Sequence, residues 1–398
     1  SYIMPHQKSY AISNSAESIL KGLSEEQRQS IKRLTPQEGF IIDPKLLSLK
    51  EKTANVIVEL KTSPVEANKQ TKSKESSKNM KQKVKGEQEF FKKRLTELMN
   101  KKELKAEPNK QLNEQKNLFY IKQTFENVFN GMAITIPTNQ INLLLQTGVV
   151  KRVWKDNKVS LPIKELTTSE TESSKVVPPA LPHLGVDRLH NEKINGQGIK
   201  VGVLDTGIDY NHPDLKDAYK GGYDFVDNDT DPMESTPADQ IASGEPAEID
   251  GRPFITEHGT HVAGTIASNP KNDVDYAMTG VAPNVDLYSY RVLGHYGSGY
   301  DSWIISGIEK AVEDGMDVIN LSLGNSNNNS LDATSVAINN AALQGVVPVV
   351  AGGNAGPNPG TLGSPGASPL AITVGASDVP TDIPTGKTSL GDVTVDIN

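Results

Sequence analysis

Apolar positions in residues 52–160 follow a pattern that predicts a small α+β unit. The β-branched run 56–60 predicts a strand. Five later residues recur with helical spacing and predict one face of a long helix: Met80, Val84, Phe91, Leu95 and Leu98. Further patterns predict strands over 118–125 and 132–136, a short helix over 139–146 and a last strand over 149–154. The resulting order, βαββαβ, is the ferredoxin-like plan.

From about residue 184 the pattern changes to continuous apolar runs that alternate with helical spacing. The runs predict buried strands over 199–204, 287–292, 318–323 and 346–350. Two helices are predicted between the later strands, from Ile304, Ile305, Ile308, Ala311 and Val312 and from Val336, Ile338 and Ala341. Strands that alternate with helices in this way predict an α/β fold with a parallel sheet flanked by helices. The polar stretch 227–257 is predicted to be an irregular surface loop.

The chain therefore divides into four parts. Residues 1–51 form an extension with one predicted helix over 15–34, and residues 52–160 form the α+β unit. Residues 161–183 are predicted to be a linker with a processing site, because they are rich in Ser, Thr and Glu and contain Pro178 and Pro179. Residues 184–398 form the α/β part.

Composition and charge exclude several classes of protein. There is no cysteine, which excludes disulfides, thiol nucleophiles and thiolate metal sites. No apolar run reaches the length of a membrane span. The net charge of −8 is the sum of about +11 in residues 1–180 and about −19 in the remainder. The basic half has no Arg-rich stripe with interleaved aromatic residues, so we expect no nucleic-acid partner. The opposite charges suit two domains that dock on each other.

Asp205 follows a predicted buried strand within the sequence Asp-Thr-Gly. Open α/β sheets place their sites at the carboxyl ends of strands, so this aspartate is a candidate functional residue. The same tripeptide occurs in aspartic proteases, but such a site needs a second copy, and the sequence has none. An aspartate that only begins a turn is the structural alternative.

His258 and Asn354 are two further candidates. His258 is followed by glycine and a run of small residues, which places its side chain at the start of a tightly packed helix. His261 lies three residues later, but no HExxH pattern or further ligand supports a metal site, and a packing or hydrogen-bonding role is expected for it. Asn354 follows a buried strand and two glycines, and its amide could donate to a developing oxyanion.

Together these segments resemble the subtilisin-like serine proteases over about residues 184–377. The resemblance extends to the sequences that begin at Asn211, Gly280, Ile319 and Val374. It implies that Asp205 orients the histidine, that His258 is the general base, and that Asn354 is the oxyanion donor. It implies a substrate cleft with two backbone edges, Gly297, Ser298, Gly299 and Ser322, Leu323, Gly324, and a pocket wall, Ala351, Gly352 and Gly353.

The resemblance also implies partners, ions and a location. Residues 52–160 resemble the family's propeptide, which acts as folding chaperone and intramolecular inhibitor, so we expect cleavage within 158–183. Peptides or proteins are the expected substrates. No cofactor is required, although structural calcium is an option and Asp214 matches a position that can be a ligand. The expected location is extracellular or at the cell wall, after secretion.

The family's nucleophile lies in a Gly-Thr-Ser-Met-Ala-like segment, and no such segment occurs in these 398 residues. We therefore expect the N-terminal part of a zymogen, inactive alone. The new strand predicted over 393–397 leads us to expect that the sequence stops where large bacterial relatives carry an inserted protease-associated domain. The alternative is a natural non-catalytic protein whose propeptide-like unit binds or inhibits proteases.

Overall fold

The computed structural model describes residues 41–64, 74–106, 119–163, 180–271, 278–377, 386–390 and 393–397. The helix predicted over 15–34 and most of the predicted linker lie outside these residues. In the described part of the chain, no helix is both long and apolar enough to cross a membrane.

The N-terminal unit has the predicted βαββαβ order, which is confirmed. Its antiparallel sheet has the strand order β2-β3-β1-β4. The long helix buries Phe91, Leu95 and Met99 against this sheet, so one helical face and one sheet face form a core. The elements are α1 (Pro44–Leu47), β1 (Thr53–Leu60), α2 (Lys74–Ala106), β2 (Tyr120–Phe125), β3 (Gly131–Pro137), a 3₁₀ turn (Thr138–Gln140), α3 (Asn142–Gln146), β4 (Val150–Lys155) and β5 (Lys158–Ser160).

The second part contains the predicted parallel sheet, so the α/β fold class is confirmed. Six strands are hydrogen-bonded in the order β15-β14-β13-β6-β10-β7. Its strands are β6 (Lys200–Asp205), β7 (Tyr219–Asp224), β10 (Asp286–Arg291), β13 (Val318–Leu321), β14 (Val347–Ala351) and β15 (Ile372–Val374). Since β6 has a paired strand on each side, its end lies in the middle of the carboxyl edge of the sheet.

Helices cover both faces of this sheet. Val203 of β6 packs with Ala263 and Ala267 of one helix, whereas the next residue, Leu204, packs with Ile308 on the opposite face. The helices are α4 (Ala180–His183), α5 (Val186–Asn191), α6 (Pro237–Ser243), α7 (His258–Ala267), α8 (Asp301–Glu313) and α9 (Ala333–Leu343). Shorter strands are β8 (Glu248–Ile249), β9 (Arg252–Pro253), β11 (Leu293–Gly294) and β12 (Ser298–Tyr300), and a final hairpin is formed by β16 (Gly386–Leu390) and β17 (Val393–Ile397).

The stretch 227–257 was predicted to be irregular surface, and this was wrong in part. It contains α6, which has a complete capping box from Thr236 and Asp239, and the hairpin β8–β9. Glu234, Ser235 and Thr256 are buried. Their burial follows from polar partners in the rest of the fold, which the local pattern of residues does not reveal.

The two parts share an interface with a continuous apolar core. Phe129, Trp154 and Val159 of the N-terminal part belong to the same buried cluster as Ile304 and Leu323. Strand β5 also joins β11 and β12 in a three-stranded sheet. The N-terminal unit is therefore docked on the parallel-sheet part along helix α8 and strand β12.

Candidate active site

Asp205 is the last residue of β6, and its side chain is fully buried. Its Oδ1 accepts a hydrogen bond from the backbone N–H of Thr206 at 2.7 Å. The same oxygen lies 2.7 Å from Nδ1 of His258. The carboxylate is thereby fixed in position and directed at one nitrogen of the imidazole.

His258 is the first residue of α7, as predicted from the small residues that follow it. Helix α7 begins close to the end of β6, because the N–H of Gly259 donates to Oγ1 of Thr206 at 2.8 Å. A Cβ at position 259 would overlap the carbonyl oxygen of Gly207, so only glycine allows this approach. The histidine side chain is 14% exposed, so part of it reaches the protein surface.

Glu234 holds the first turn of α7 from the opposite side, and sequence reasoning missed it. Its Oε1 accepts from the N–H and from the hydroxyl of Thr260, at 2.8 and 3.0 Å, and its Oε2 accepts from the hydroxyl of Thr256 at 2.6 Å. Burial raises the pKa of the Glu234 carboxyl, and these hydrogen bonds oppose that effect. A carboxylate at a helix N-terminus satisfies N–H groups that have no partner within the helix.

Arg291, at the end of β10, is a second residue that the sequence did not indicate. It is paired in register with Asp205 on one side and Asp224 on the other. Its Nη1 donates to Asp224 at 2.6 Å and to Asp227 at 2.7 Å, and its Nε donates to the carbonyl of Thr206 at 3.2 Å. Burial opposes the charge of Arg291, but the two carboxylates raise its pKa overall. This buried cation thereby holds the turn that follows Asp205.

A cleft of 490 Å³ contains most of the other predicted site residues. Its walls include Ser322, Leu323 and Gly324 after β13, and Ala351, Gly353 and Asn354 at and after the end of β14. Gly352, between Ala351 and Gly353, is buried; its N–H donates to the carbonyl of Val374 and its carbonyl accepts from the N–H of Gly363. Gly353 has φ +95°, a conformation that favours glycine.

The chain's own residues 158–162 form another wall of this cleft. Strand β5 pairs antiparallel with β12, with Val159 opposite Gly299 and Ser160 opposite Ser298. The N–H of Leu161 donates to the carbonyl of Gly297 at 2.9 Å. The predicted backbone edge at Gly297, Ser298 and Gly299 is therefore paired with β5 by strand addition, the mode in which an extended peptide binds to the edge of a sheet.

Helix α8 carries the main polar contacts of the docked N-terminal unit. Both carboxylate oxygens of Glu309 accept backbone N–H groups, from Glu126 at 2.6 Å, Asn127 at 2.5 Å and Val128 at 2.8 Å. At the other end of α8, Asp156 accepts from the N–H and hydroxyl of Ser302, at 3.0 and 2.8 Å. The helix is thus held at both ends by the residues that precede the cleft segment.

Asp214, which matches a position that can be a calcium ligand in the family, accepts the N–H of Lys271 on its Oδ1 at 2.7 Å. The loop 272–277, from which further ligands could come, lies outside the described residues. Within the described part of the chain, no group of three or more acidic or histidine side chains is arranged to hold a metal ion.

Comparison with known proteins agrees with this geometry. The family model described as "Subtilase family" matches residues 196–394, and "Peptidase inhibitor I9" matches residues 55–162. The chain is 45% identical to the minor extracellular protease Vpr of Bacillus subtilis over 266 residues, which cover 65% of this chain and 31% of that protein.

Shorter relatives also match the chain. Subtilisin E of Bacillus subtilis is 37% identical over 234 residues, 58% of this chain and 54% of that protein. The alkaline protease of Alkalihalobacillus alcalophilus is 41% identical over 209 residues, 52% of this chain and 47% of that protein. The chain therefore spans between a third and about half of the length of these relatives. With a subtilase match over half of its residues and an I9 match before it, the chain belongs to the subtilase family.

Proposed function

We propose that the protein is the zymogen of a secreted subtilisin-like serine endopeptidase, which hydrolyses peptide bonds by acyl transfer. The observation that carries this proposal is the 2.7 Å contact between His258 Nδ1 and Asp205 Oδ1 at the carboxyl end of the sheet. It lies where a parallel α/β sheet binds its ligands. The chemistry uses no organic cofactor.

The two residues have complementary roles in this mechanism. Asp205 accepts the Nδ1–H of His258, which leaves Nε2 as the basic nitrogen that takes the proton of the serine hydroxyl. The buried carboxylate then stabilises the imidazolium that forms. Asn354 donates its side-chain amide to the oxyanion of the tetrahedral intermediate.

The substrate is an extended peptide held between two backbone edges. Gly297, Ser298 and Gly299 form one edge, and Ser322, Leu323 and Gly324 form the other. Ala351, Gly352 and Gly353 bound the pocket for the residue before the scissile bond. Backbone pairing accepts many sequences, so side-chain pockets set the preference.

The N-terminal unit acts as the intramolecular inhibitor. Its segment 158–162 lines the cleft and is paired with the β12 edge, where Val159 and Leu161 are almost completely buried. A peptide substrate needs the same edge of β12 and is excluded while β5 is paired there. Cleavage within 158–183, followed by release of the unit, opens the cleft.

The direct test is hydrolysis of casein by the protein expressed from its complete gene and purified from the culture medium. We expect hydrolysis that increases as the N-terminal unit is removed and that stops after treatment with a fluorophosphonate. A secreted, fully processed protein without peptidase activity would overturn the proposal.

A serine-directed probe tests the position of the nucleophile. These 398 residues contain no Gly-Thr-Ser-Met-Ala-like segment, so we expect the 398-residue chain alone not to be labelled by a fluorophosphonate. The product of the complete gene, after processing, is expected to be labelled at one serine. Labelling of the 398-residue chain, with the modified serine located by mass spectrometry, would contradict this expectation.

Docking of the N-terminal unit is expected to weaken as pH rises, because of Asp301. This side chain is 1% exposed at the interface, and its Oδ2 accepts from the Asn157 amide at 3.0 Å. Burial raises its pKa well above the ordinary value of 3.8, and the nearby carboxyls of Asp332 and Asp156 raise it further. The docked state therefore binds the proton more tightly than the undocked state. Docking is strongest below pH 3.8 and weakens as pH rises from there towards the raised pKa.

Amide hydrogen exchange of β5, corrected for the intrinsic rate at each pH, measures this effect. Asp301→Asn keeps an acceptor for Asn157 and removes the titrating group, so the decrease in protection with pH should become smaller. Asp187→Asn, at an exposed position of α5, is the matched control and should keep the wild-type profile. An unchanged pH profile in Asp301→Asn would show that Asp301 does not govern docking.

A further inference from the structure

The hairpin β8–β9 lies beside the segment 158–163, whose residues 158–162 line the cleft. It is anchored by Phe254, which is fully buried and stacks on the ring of His295 with centroids 3.9 Å apart. The hydroxyl of Tyr296 donates to the carbonyl of Pro246 at 2.7 Å. The loop 295–296 leads directly into the edge Gly297, Ser298 and Gly299. The hairpin is therefore built onto the same loop that carries the clamp edge.

Arg252 extends from this hairpin to the cleft segment. Its Nη1 donates to the carbonyl oxygen of Leu161 at 2.5 Å, across 91 positions of sequence. Leu161 is the residue whose N–H donates to the carbonyl of Gly297. The N–H and the carbonyl of Leu161 are thus bound by two different elements of the parallel-sheet part.

The partners of the Arg252 guanidinium indicate that it serves to hold the segment that lines the cleft. Within the described residues no carboxylate pairs with Arg252, in contrast to Arg291, which has two such partners. A guanidinium that stabilised only its own hairpin would bond to that hairpin. The adjacent residue Gly251 faces Ile163, so the hairpin follows the segment beyond Leu161.

We propose that Arg252 is a substrate-binding residue. It donates to the main-chain carbonyl of the substrate residue whose N–H pairs with Gly297. This inference rests on the proposed peptidase function, because Leu161 stands in for that substrate residue. A bond to a backbone carbonyl does not depend on the substrate's side chain, and a charged donor makes it stronger than a neutral hydrogen bond. Arg252 therefore tightens binding of extended peptides in general and fixes their register in the cleft.

Two experiments test the proposal, and the first needs no peptidase activity. In the 398-residue chain, Arg252→Gln should lower the hydrogen-exchange protection of residues 159–163 by about tenfold or more, the loss expected for a charge-assisted hydrogen bond. Arg252→Lys, which keeps the charge, should retain part of the protection. The control Arg188→Gln, at an exposed position of α5, should behave as wild type. Protection that is unchanged in Arg252→Gln would overturn the contact.

The second experiment uses the processed product of the complete gene and a fluorogenic peptide long enough to span the cleft. Arg252→Gln should raise KM about tenfold with kcat little changed, and Arg252→Lys should recover part of the loss, because the bond is made to substrate before and during the reaction. Hydrolysis with an unchanged KM in Arg252→Gln would overturn the role of Arg252 alone. Absence of hydrolysis by the wild-type protein would overturn the proposed function, and the substrate role with it.

Discussion

His258→Ala in the product of the complete gene is expected to lower kcat for peptide hydrolysis by about 10⁶-fold, the size of the loss known for the histidine of subtilisin. His258 lies at the start of α7 with its Nδ1 2.7 Å from the buried Asp205, the arrangement that the proposed base requires. Asp205→Asn should cost about 10⁴-fold, because the histidine remains but its orientation and tautomer are no longer favoured. The rates are compared on one fluorogenic peptide after removal of the N-terminal unit.

His261→Ala is the matched control for this experiment. His261 lies one turn further along α7, and its side chain is exposed. Its replacement removes an imidazole of the same helix and should leave kcat close to that of the wild type. If His261→Ala and His258→Ala reduced kcat equally, the effect would come from damage to α7, and the proposed base would be wrong.

The elements that the sequence predicted well are those in which burial alone decides the pattern. Strands β6, β13 and β14 each contain a run of β-branched and other apolar residues, and each lies inside the parallel sheet. Helix α2 was indicated by Phe91 and Leu95, which point into the core of the N-terminal unit. In both cases the apolar residues recur with the spacing that places them on the buried side of the element.

Strand β7 was missed because it lies at the edge of the sheet and pairs with β10 alone. Its sequence, Tyr-Lys-Gly-Gly-Tyr-Asp, has no continuous apolar run. The order of the strands could not be predicted from the sequence either, because pairing between distant segments such as β6 and β13 depends on how the helices pack.

The sequence indicated the motif residues of the candidate site, but it did not indicate the residues that hold them in place. Asp205 and His258 lie within short segments of unusual composition, which the sequence displays directly. Glu234 lies in a polar stretch, and Arg291 ends a strand whose other residues gave no reason to expect a buried cation. Their burial depends on partners that are distant in sequence, namely Thr260 for Glu234 and Asp224 for Arg291.

Arg291→Met is expected to destabilise the protein by about 3–5 kcal/mol, because it leaves a buried carboxylate without its partner. The side chains of Arg291 and Asp224 are 3% and 2% exposed, so water cannot replace the lost contact. Burial already raises the pKa of Asp224, and Arg291 is the main influence that opposes this. In a domain of this size the midpoint of thermal unfolding should fall by about 6–20 °C, measured by scanning calorimetry on the 398-residue chain.

Two further variants separate the unpaired charge from the lost packing. Asp224→Asn added to Arg291→Met removes the buried charge, and its amide oxygen can still accept from the N–H groups of Val226 and Asp227. The double variant should therefore recover most of the stability. Arg94→Met breaks the exposed pair with Glu97 on α2 and should cost at most about 0.5 kcal/mol. A double variant no more stable than Arg291→Met would show that the loss comes from the packing of Arg291 and its other hydrogen bonds, among them the bond to Thr206, and not from the unpaired carboxylate.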